Sequence, residues 1–127
     1  MKADILGGLT MAEFKRDHPA EYAQLRGDDP DWAIPGGESV RQRYERHIAA
    51  AEDLATRHAG GRLLIVAHGG VLNSFFRRAT GQAIASPRRF SLYNASINEF
   101  SILAGKWSLQ LWGDTRHLRD LGTEDDW

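Results

Sequence analysis

The pattern of apolar and polar positions is sharpest in the middle of the chain. Residues 62–67 form an apolar run after one arginine, and the run ends abruptly at His68, Gly69 and Gly70. A segment with helical spacing follows directly, from about residue 71 to residue 80, and a glycine ends it. This order predicts a buried strand, a tight turn and the N-terminus of a helix.

Two short helices are predicted near the start of the chain. Thr10 and Glu13 have the spacing of a capping box, so a helix is expected from there to about Asp17. Pro19 suits the first turn of a second helix, which continues to Leu25.

A long helix is predicted after a loop over residues 26–37, which is rich in Gly, Pro and Asp. Ser39 and Gln42 form a second capping box, and Gly60-Gly61 is expected to stop the helix. Apolar residues recur at helical spacing between these ends: Val40, Tyr44, Ile48, Ala51, Leu54 and Ala55.

In the last third of the chain, the apolar residues no longer recur at helical spacing but alternate with polar residues, with a period of two. Residues 98–102 and 107–111 alternate between the two faces of a strand, and residues 104–106 supply a turn between them. An antiparallel hairpin is therefore expected there. Together with the helix, strand and helix that precede it, the hairpin predicts a layered α/β domain.

Composition narrows the classes of function. The chain has 127 residues, enough for one domain, and its 16 Lys and Arg balance 17 Asp and Glu. No basic excess indicates nucleic acid, no apolar run approaches the ~20 residues that span a membrane, and no signal-peptide pattern opens the chain. Cysteine is absent, which excludes disulfides and thiolate chemistry. We therefore expect a cytoplasmic protein without nucleic-acid or membrane partners.

The turn after the apolar run is the main candidate for chemistry. The end of a strand would hold the His68 imidazole rigidly, and Gly69 and Gly70 would let backbone N–H groups approach a ligand. The dipole of the following helix would favour an anion at the same place. A phosphate or oxyanion site is one interpretation. The alternative is a histidine that only hydrogen-bonds a neighbour, beside an ordinary Gly-Gly turn.

Four short segments resemble, in this order, segments of the histidine phosphatase superfamily, the phosphoglycerate-mutase-like phosphatases: Gly8-Leu9-Thr10, Gly36-Gly37-Glu38-Ser39, Ala67-His68-Gly69-Gly70 and Asn94-Ala95-Ser96-Ile97. The resemblance extends over residues 1 to about 118. It implies an α/β, three-layer phosphoglycerate-mutase-like fold with a mainly parallel sheet and a C-terminal antiparallel hairpin. It also implies that residues 1–127 form a single, truncated domain without the family's N-terminal Arg-His-Gly strand.

The resemblance implies phosphomonoester hydrolysis through a phosphohistidine, but only part of that machinery transfers to this sequence. The sequence contains no Arg-His-Gly, the motif of the family's nucleophile, and the family's general-acid Glu falls at or before Met1. His68 matches the second catalytic histidine, with Gly69, Gly70 and Asn94 as phosphate-binding candidates, and no cofactor or metal is implied. Because covalent catalysis cannot start without the nucleophile, we expect little or no turnover.

Several other polar residues have two interpretations. Asn94 either reaches the phosphate site or only starts a strand through local side-chain hydrogen bonds. Glu38 either lies near the pocket or, the favoured interpretation, is structural and closes the loop before the capping serine. Four arginines either attract an anionic substrate or are ordinary solvated charges: Arg77, Arg78, Arg88 and Arg89. The remaining histidines do not cluster at metal-ligand spacing: His18, His47, His58 and His117.

The absence of an Arg-His-Gly strand, which the resemblance places beside the apolar run, has a structural consequence. Residues 62–67 would keep an unpaired, hydrophobic edge, and such edges favour association. We therefore expect a homo-oligomer, or dependence on a separate N-terminal segment, and weak binding of a phosphorylated small molecule. The alternative function is a non-catalytic pseudo-phosphatase, or an interaction module that self-associates through this edge.

Overall fold

A computed structural model describes residues 8–27 and 29–121. Its elements are four α-helices, two β-strands and a 3₁₀ helix: α1 (Met11–Asp17), α2 (Pro19–Leu25), α3 (Val40–Arg57), α4 (Gly69–Thr80), β1 (Ile97–Leu103), β2 (Lys106–Asp114) and the 3₁₀ helix Arg116–Leu121. The chain divides into two compact units, and the boundary between Glu45 and Arg46 falls within α3.

The first unit begins with the predicted capping box. The Thr10 hydroxyl accepts from the Glu13 backbone N–H at 3.1 Å, and the Glu13 carboxylate accepts from the Thr10 N–H at 3.2 Å. Phe14 on α1 is fully buried, and its ring lies 5.7 Å from His18 and 6.2 Å from Tyr22, centroid to centroid. One buried aromatic side chain thus holds the two short helices together.

The second capping box opens α3 as predicted. The buried Ser39 hydroxyl accepts from the Gln42 N–H at 3.1 Å, and the Gln42 side chain accepts from the Ser39 N–H at 2.8 Å. Arg41 adds a tether to the preceding loop, because its guanidinium contacts Asp31 at 2.6 Å and its backbone N–H donates to the Pro30 carbonyl. The start of α3 is therefore fixed by its own capping box and by the contacts of Arg41 with the preceding loop.

The second unit contains the predicted hairpin. β1 and β2 pair antiparallel, with Phe100 opposite Leu109 and Ile102 opposite Trp107. Only two residues lie in the loop, and Ala104 (φ 51°) and Gly105 (φ 75°) both adopt positive φ angles. A type I′ turn requires this at both central positions, because its twist matches that of the two strands.

An aromatic cluster joins α4 to the hairpin. The Phe75 ring lies 5.3 Å from Trp107 and 5.8 Å from Phe100, while Phe76 lies 4.6 Å from Trp112 and 4.0 Å from Phe90. Phe75 and Trp107 are both buried. These rings form the core of the second unit.

A further contact ties α3 to the same hairpin. The Trp107 indole N–H donates to the Glu52 carboxylate at 3.0 Å, and Arg78 of α4 lies 3.6 Å from that carboxylate. The Glu52 side chain therefore links three elements of the second unit through polar contacts.

The expected strand over residues 62–67 is wrong for this chain. The segment is extended but forms no β-ladder, and the hairpin is the only sheet within the described residues. The side chains are not buried either, since Leu64 is 94% exposed and Val66 is 92% exposed. A strand exists only when its backbone N–H and C=O groups pair with a neighbour, and none of the residues that the structure describes pairs with this segment.

Candidate functional site

The site begins where the extended segment enters α4. His68 is the N-cap residue, with an extended backbone (φ −104°, ψ 172°), and its carbonyl accepts from the N–H groups of Val71 and Leu72. Its side chain makes no capping hydrogen bond and is exposed. The imidazole is therefore held at the helix end by the backbone and remains available to a ligand.

The two glycines form the first turn of α4. Gly69 is buried and Gly70 is exposed, and a methyl group built on Gly70 would meet nothing within 4 Å. The first N–H groups of an α-helix have no acceptor within the helix, and its dipole places positive potential there. The sequence prediction of a turn and a helix N-terminus after His68 is confirmed, with the helix beginning two residues earlier than expected.

A cavity of about 310 Å³ lies beside this turn, and all of its lining belongs to the second unit. It is mostly apolar, with walls from α3, from residues 65–68 and from the first turns of α4. Three polar side chains contribute to its lining: Arg46, His47 and His68. The cavity therefore brings two histidines and an arginine to one concave surface.

The sequence predicts no role for His47, which contributes to this surface. Its Nδ1 lies 2.8 Å from the Ser74 hydroxyl, which itself donates to the Gly70 carbonyl at 3.3 Å. The His47 ring and the Ser74 hydroxyl therefore share one hydrogen bond between α3 and α4. A signal was present, because His47 is spaced from Tyr44, Ala51 and Leu54 so that all four share one face of α3.

Asn94 lies in an exposed turn before β1 and is not among the residues that line the cavity. The following residue, Ala95, has a positive φ of 55°, and its carbonyl accepts from Nε2 of His117 at 2.8 Å. The turn that carries Asn94 is thus fastened to the 3₁₀ helix.

The end of β2 carries a tight ion pair. The Arg116 guanidinium contacts the Asp114 carboxylate at 2.7 Å, and the Arg116 backbone N–H donates to the same carboxylate at 3.0 Å. These hydrogen bonds lower the pKa of Asp114 to about 2. Asp114 therefore stays ionised at every pH used to assay phosphomonoesters.

The four candidate arginines have different environments. Arg77 is buried, and its guanidinium donates to Asn73 at 3.0 Å, to the Ala83 carbonyl at 2.6 Å and to Ser86 at 2.8 Å. It is neither a solvated charge nor an anion attractor, because its donors are turned to the protein's own loop. Among the others, Arg78 contacts a carboxylate, Arg88 donates to a backbone carbonyl, and Arg89 is exposed.

Two further properties of the described residues bear on function. Across 8–27 and 29–121, no three His, Asp or Glu side chains are close enough together to hold a metal ion. None of the helices in these ranges has the length and apolar character needed to cross a membrane.

Comparison with known proteins places this chain in a family. The Histidine phosphatase superfamily (branch 1) matches residues 1–115. The chain is 35% identical over 117 residues to phosphoglycerate mutase-like protein 4 of Arabidopsis thaliana, covering 91% of this chain and 50% of that protein. It is 36% identical over 118 residues to the metal-independent phosphoserine phosphatase of the same plant, covering 92% of this chain and 48% of that protein.

The solved structure of Bacillus stearothermophilus YhfR has a similar fold, with a TM-score of 0.70 and 24% identity, over 87% of this chain and 55% of that chain. The chain thus spans about half the length of the relatives it matches. The family match covers most of the sequence, including the candidate site around His68. The chain belongs to the histidine phosphatase superfamily, branch 1.

Proposed function

We propose that this chain carries one half of a histidine phosphatase site, which binds a phosphoryl group without hydrolysing phosphomonoesters by itself. The observation that carries the proposal is the exposed His68 at the N-terminus of the 12-residue helix α4, beside two glycines. The names of the relatives, one mutase-like and one a phosphoserine phosphatase, support a phosphomonoester as the class of ligand.

The chemistry of this half-site follows from its groups. The backbone N–H groups at residues 69 and 70 and the dipole of α4 attract an anion. His68, when protonated, donates to a phosphoryl oxygen and offsets the charge that develops during transfer. The open space at Gly70 leaves room for that oxygen.

The half-site lacks an identified nucleophile. Phosphohistidine chemistry needs an imidazole that attacks phosphorus, and no Arg-His-Gly motif is present in these 127 residues. With one exposed histidine at the helix end, one arginine (Arg46) on the cavity surface and no nucleophile, we expect binding in the range of about 1 mM. The ligand is a phosphorylated small molecule, and the role is that of a pseudo-phosphatase or phospho-ligand module.

The three-layer fold with a mainly parallel sheet requires a second strand that pairs with residues 62–67. Residues 62–67 would then join a mainly parallel sheet between two layers of helices. Their extended backbone supports this, as does the cavity beside them, which is mostly apolar and lies between α3 and α4. The same assembly would bring a second imidazole to the side of His68.

Turnover tests the catalytic part of the proposal. The chain is expected to release no p-nitrophenol from p-nitrophenyl phosphate at mildly acidic pH above the rate in buffer. The variants His68→Ala and His58→Ala, the second an exposed histidine outside the cavity lining, are expected to behave identically. Activity that disappears in His68→Ala but persists in His58→Ala would show that the chain is an enzyme by itself.

A further inference from the structure

The first turn of α4 receives little stabilisation from its own residues. It begins with Gly69 and Gly70, and glycine is among the least favourable residues within a helix because it loses the most backbone freedom. Helices α1 and α3 open with capping boxes, whereas the His68 side chain makes no capping hydrogen bond and the first turn of α4 has no acidic residue. The order of this turn therefore depends on contacts from outside it.

Ser74 and His47 provide such a contact. Ser74 lies one helical turn after Gly70 and is 5% exposed. Its hydroxyl oxygen lies 3.3 Å from the Gly70 carbonyl oxygen and 2.8 Å from Nδ1 of His47 on α3. Buried hydroxyl groups are as a rule hydrogen-bonded, and both contacts serve this one. A chain of polar contacts thus runs from α3 to the carbonyl of a residue in the first turn of α4.

The contact with a second helix distinguishes Ser74 from two other hydroxyl residues of the helices. Thr56 and Thr80 also donate to the carbonyl four residues earlier, at 3.0 and 2.7 Å, but both residues are exposed. Such local hydrogen bonds slightly destabilise a helix when they stand alone. The contact of Ser74 with His47 therefore gives this hydroxyl a role that the other two do not have.

We propose that His47, acting through the Ser74 hydroxyl, positions the first turn of α4 for phosphate, a role that rests on the function proposed above. In the proposed arrangement the ring proton is on Nδ1, so the imidazole donates to Ser74 and the Ser74 hydroxyl donates to the Gly70 carbonyl. A turn held in this way keeps its N–H groups together, and the ligand does not have to order them on binding. His47 is a positioning residue, because its ring needs no contact with the phosphoryl group.

Amide hydrogen exchange measures the order of this turn without a ligand. The Leu72 amide donates to the His68 carbonyl at 3.2 Å, whereas the Gln82 amide, just beyond the other end of α4, donates to the Arg77 carbonyl at 2.9 Å. Ser74→Ala is expected to speed exchange at Leu72 by about three- to tenfold and to leave exchange at Gln82 unchanged. Helix propensity alone predicts the opposite at Leu72, because alanine is a better helix former than serine.

A titration with inorganic phosphate, followed by NMR, measures the effect on binding. His47→Leu and Ser74→Ala are each expected to raise the midpoint by about three- to tenfold, and the double variant no further, because both changes remove the same contact. His47→Asn should stay within about twofold of the unchanged chain, because its amide N–H takes the place of Nδ1–H. The matched control is Thr80→Val, which removes an exposed hydroxyl from the same helix and should leave the midpoint unchanged.

The outcomes separate the role of His47 from the function on which it rests. If the unchanged chain binds phosphate and His47→Leu binds it equally well, the positioning role is overturned and the half-site stands. The role is also overturned if His47→Asn binds no better than His47→Leu, or if Ser74→Ala leaves exchange at Leu72 unchanged. If the unchanged chain shows no saturable binding of phosphate, the proposed function fails, and the role of His47 fails with it.

Discussion

Phe75→Ala is expected to lower the free energy of unfolding by about 3–5 kcal/mol, the usual cost of removing a large buried aromatic side chain. Phe75 is 8% exposed and packs edge-on and tilted against Phe100 and Trp107 of the hairpin. Alanine would leave a hole at the point where α4 meets both strands. The hairpin is not expected to move into this hole, because other aromatic contacts hold it in place.

Urea unfolding followed by circular dichroism measures this effect, with all proteins at one concentration. The control is Leu103→Ala, which shortens a side chain that is 77% exposed, and it should change the free energy by less than about 0.5 kcal/mol. If Phe75→Ala cost no more than its control, the aromatic cluster would not be the core of the second unit.

Arg77→Met is expected to cost about 2–4 kcal/mol, because it removes three hydrogen bonds that a buried guanidinium donates to part-buried acceptors. The guanidinium of Arg77 serves Asn73, the Ala83 carbonyl and Ser86 at once, and it lies 5.6 Å from the centre of the Phe90 ring. Methionine keeps most of the volume and removes every hydrogen bond. The loop after α4 should loosen as a result.

Arg78→Met is the control for Arg77→Met. Arg78→Met removes only a partly exposed contact of 3.6 Å to Glu52 and should cost less than about 1 kcal/mol. Arg77→Lys should fall between the two, because an ammonium keeps the charge but cannot reproduce the planar fork of donors. Equal stability of the two methionine variants in the same urea experiment would refute the role assigned to Arg77.

The elements that could be predicted are those specified by neighbouring residues. Thr10 with Glu13 and Ser39 with Gln42 fix their helix starts through contacts three residues apart, so the sequence contains the whole interaction. The hairpin follows from its alternation and from the turn predicted at residues 104–106, although the loop in the structure contains only 104 and 105. His68 at the start of α4 was likewise predictable, because the apolar run, the glycines and the helix are adjacent in sequence.

The features that could not be predicted depend on partners distant in sequence. An apolar run at 62–67 has the composition of a strand, but a strand needs a second backbone, which no local pattern reports. Only the resemblance, with its absent Arg-His-Gly strand, indicated an unpaired edge there. Arg77 resembles any other arginine of a helix until the loop around Ser86 folds back onto it. His47 joins the cavity only because α3 and α4 bring it to the Ser74 hydroxyl.

The central claim is that His68 and the first turn of α4 form a phosphate-binding half-site, and an NMR titration with inorganic phosphate tests it most directly. The account predicts saturable shifts of the Gly69 and Gly70 amides and of the His68 ring, with a midpoint near about 1 mM. In His68→Ala these amide shifts should require several-fold more phosphate, while His58→Ala should titrate like the unchanged chain. Shifts that are unsaturable, or that are identical in His68→Ala, would contradict the claim.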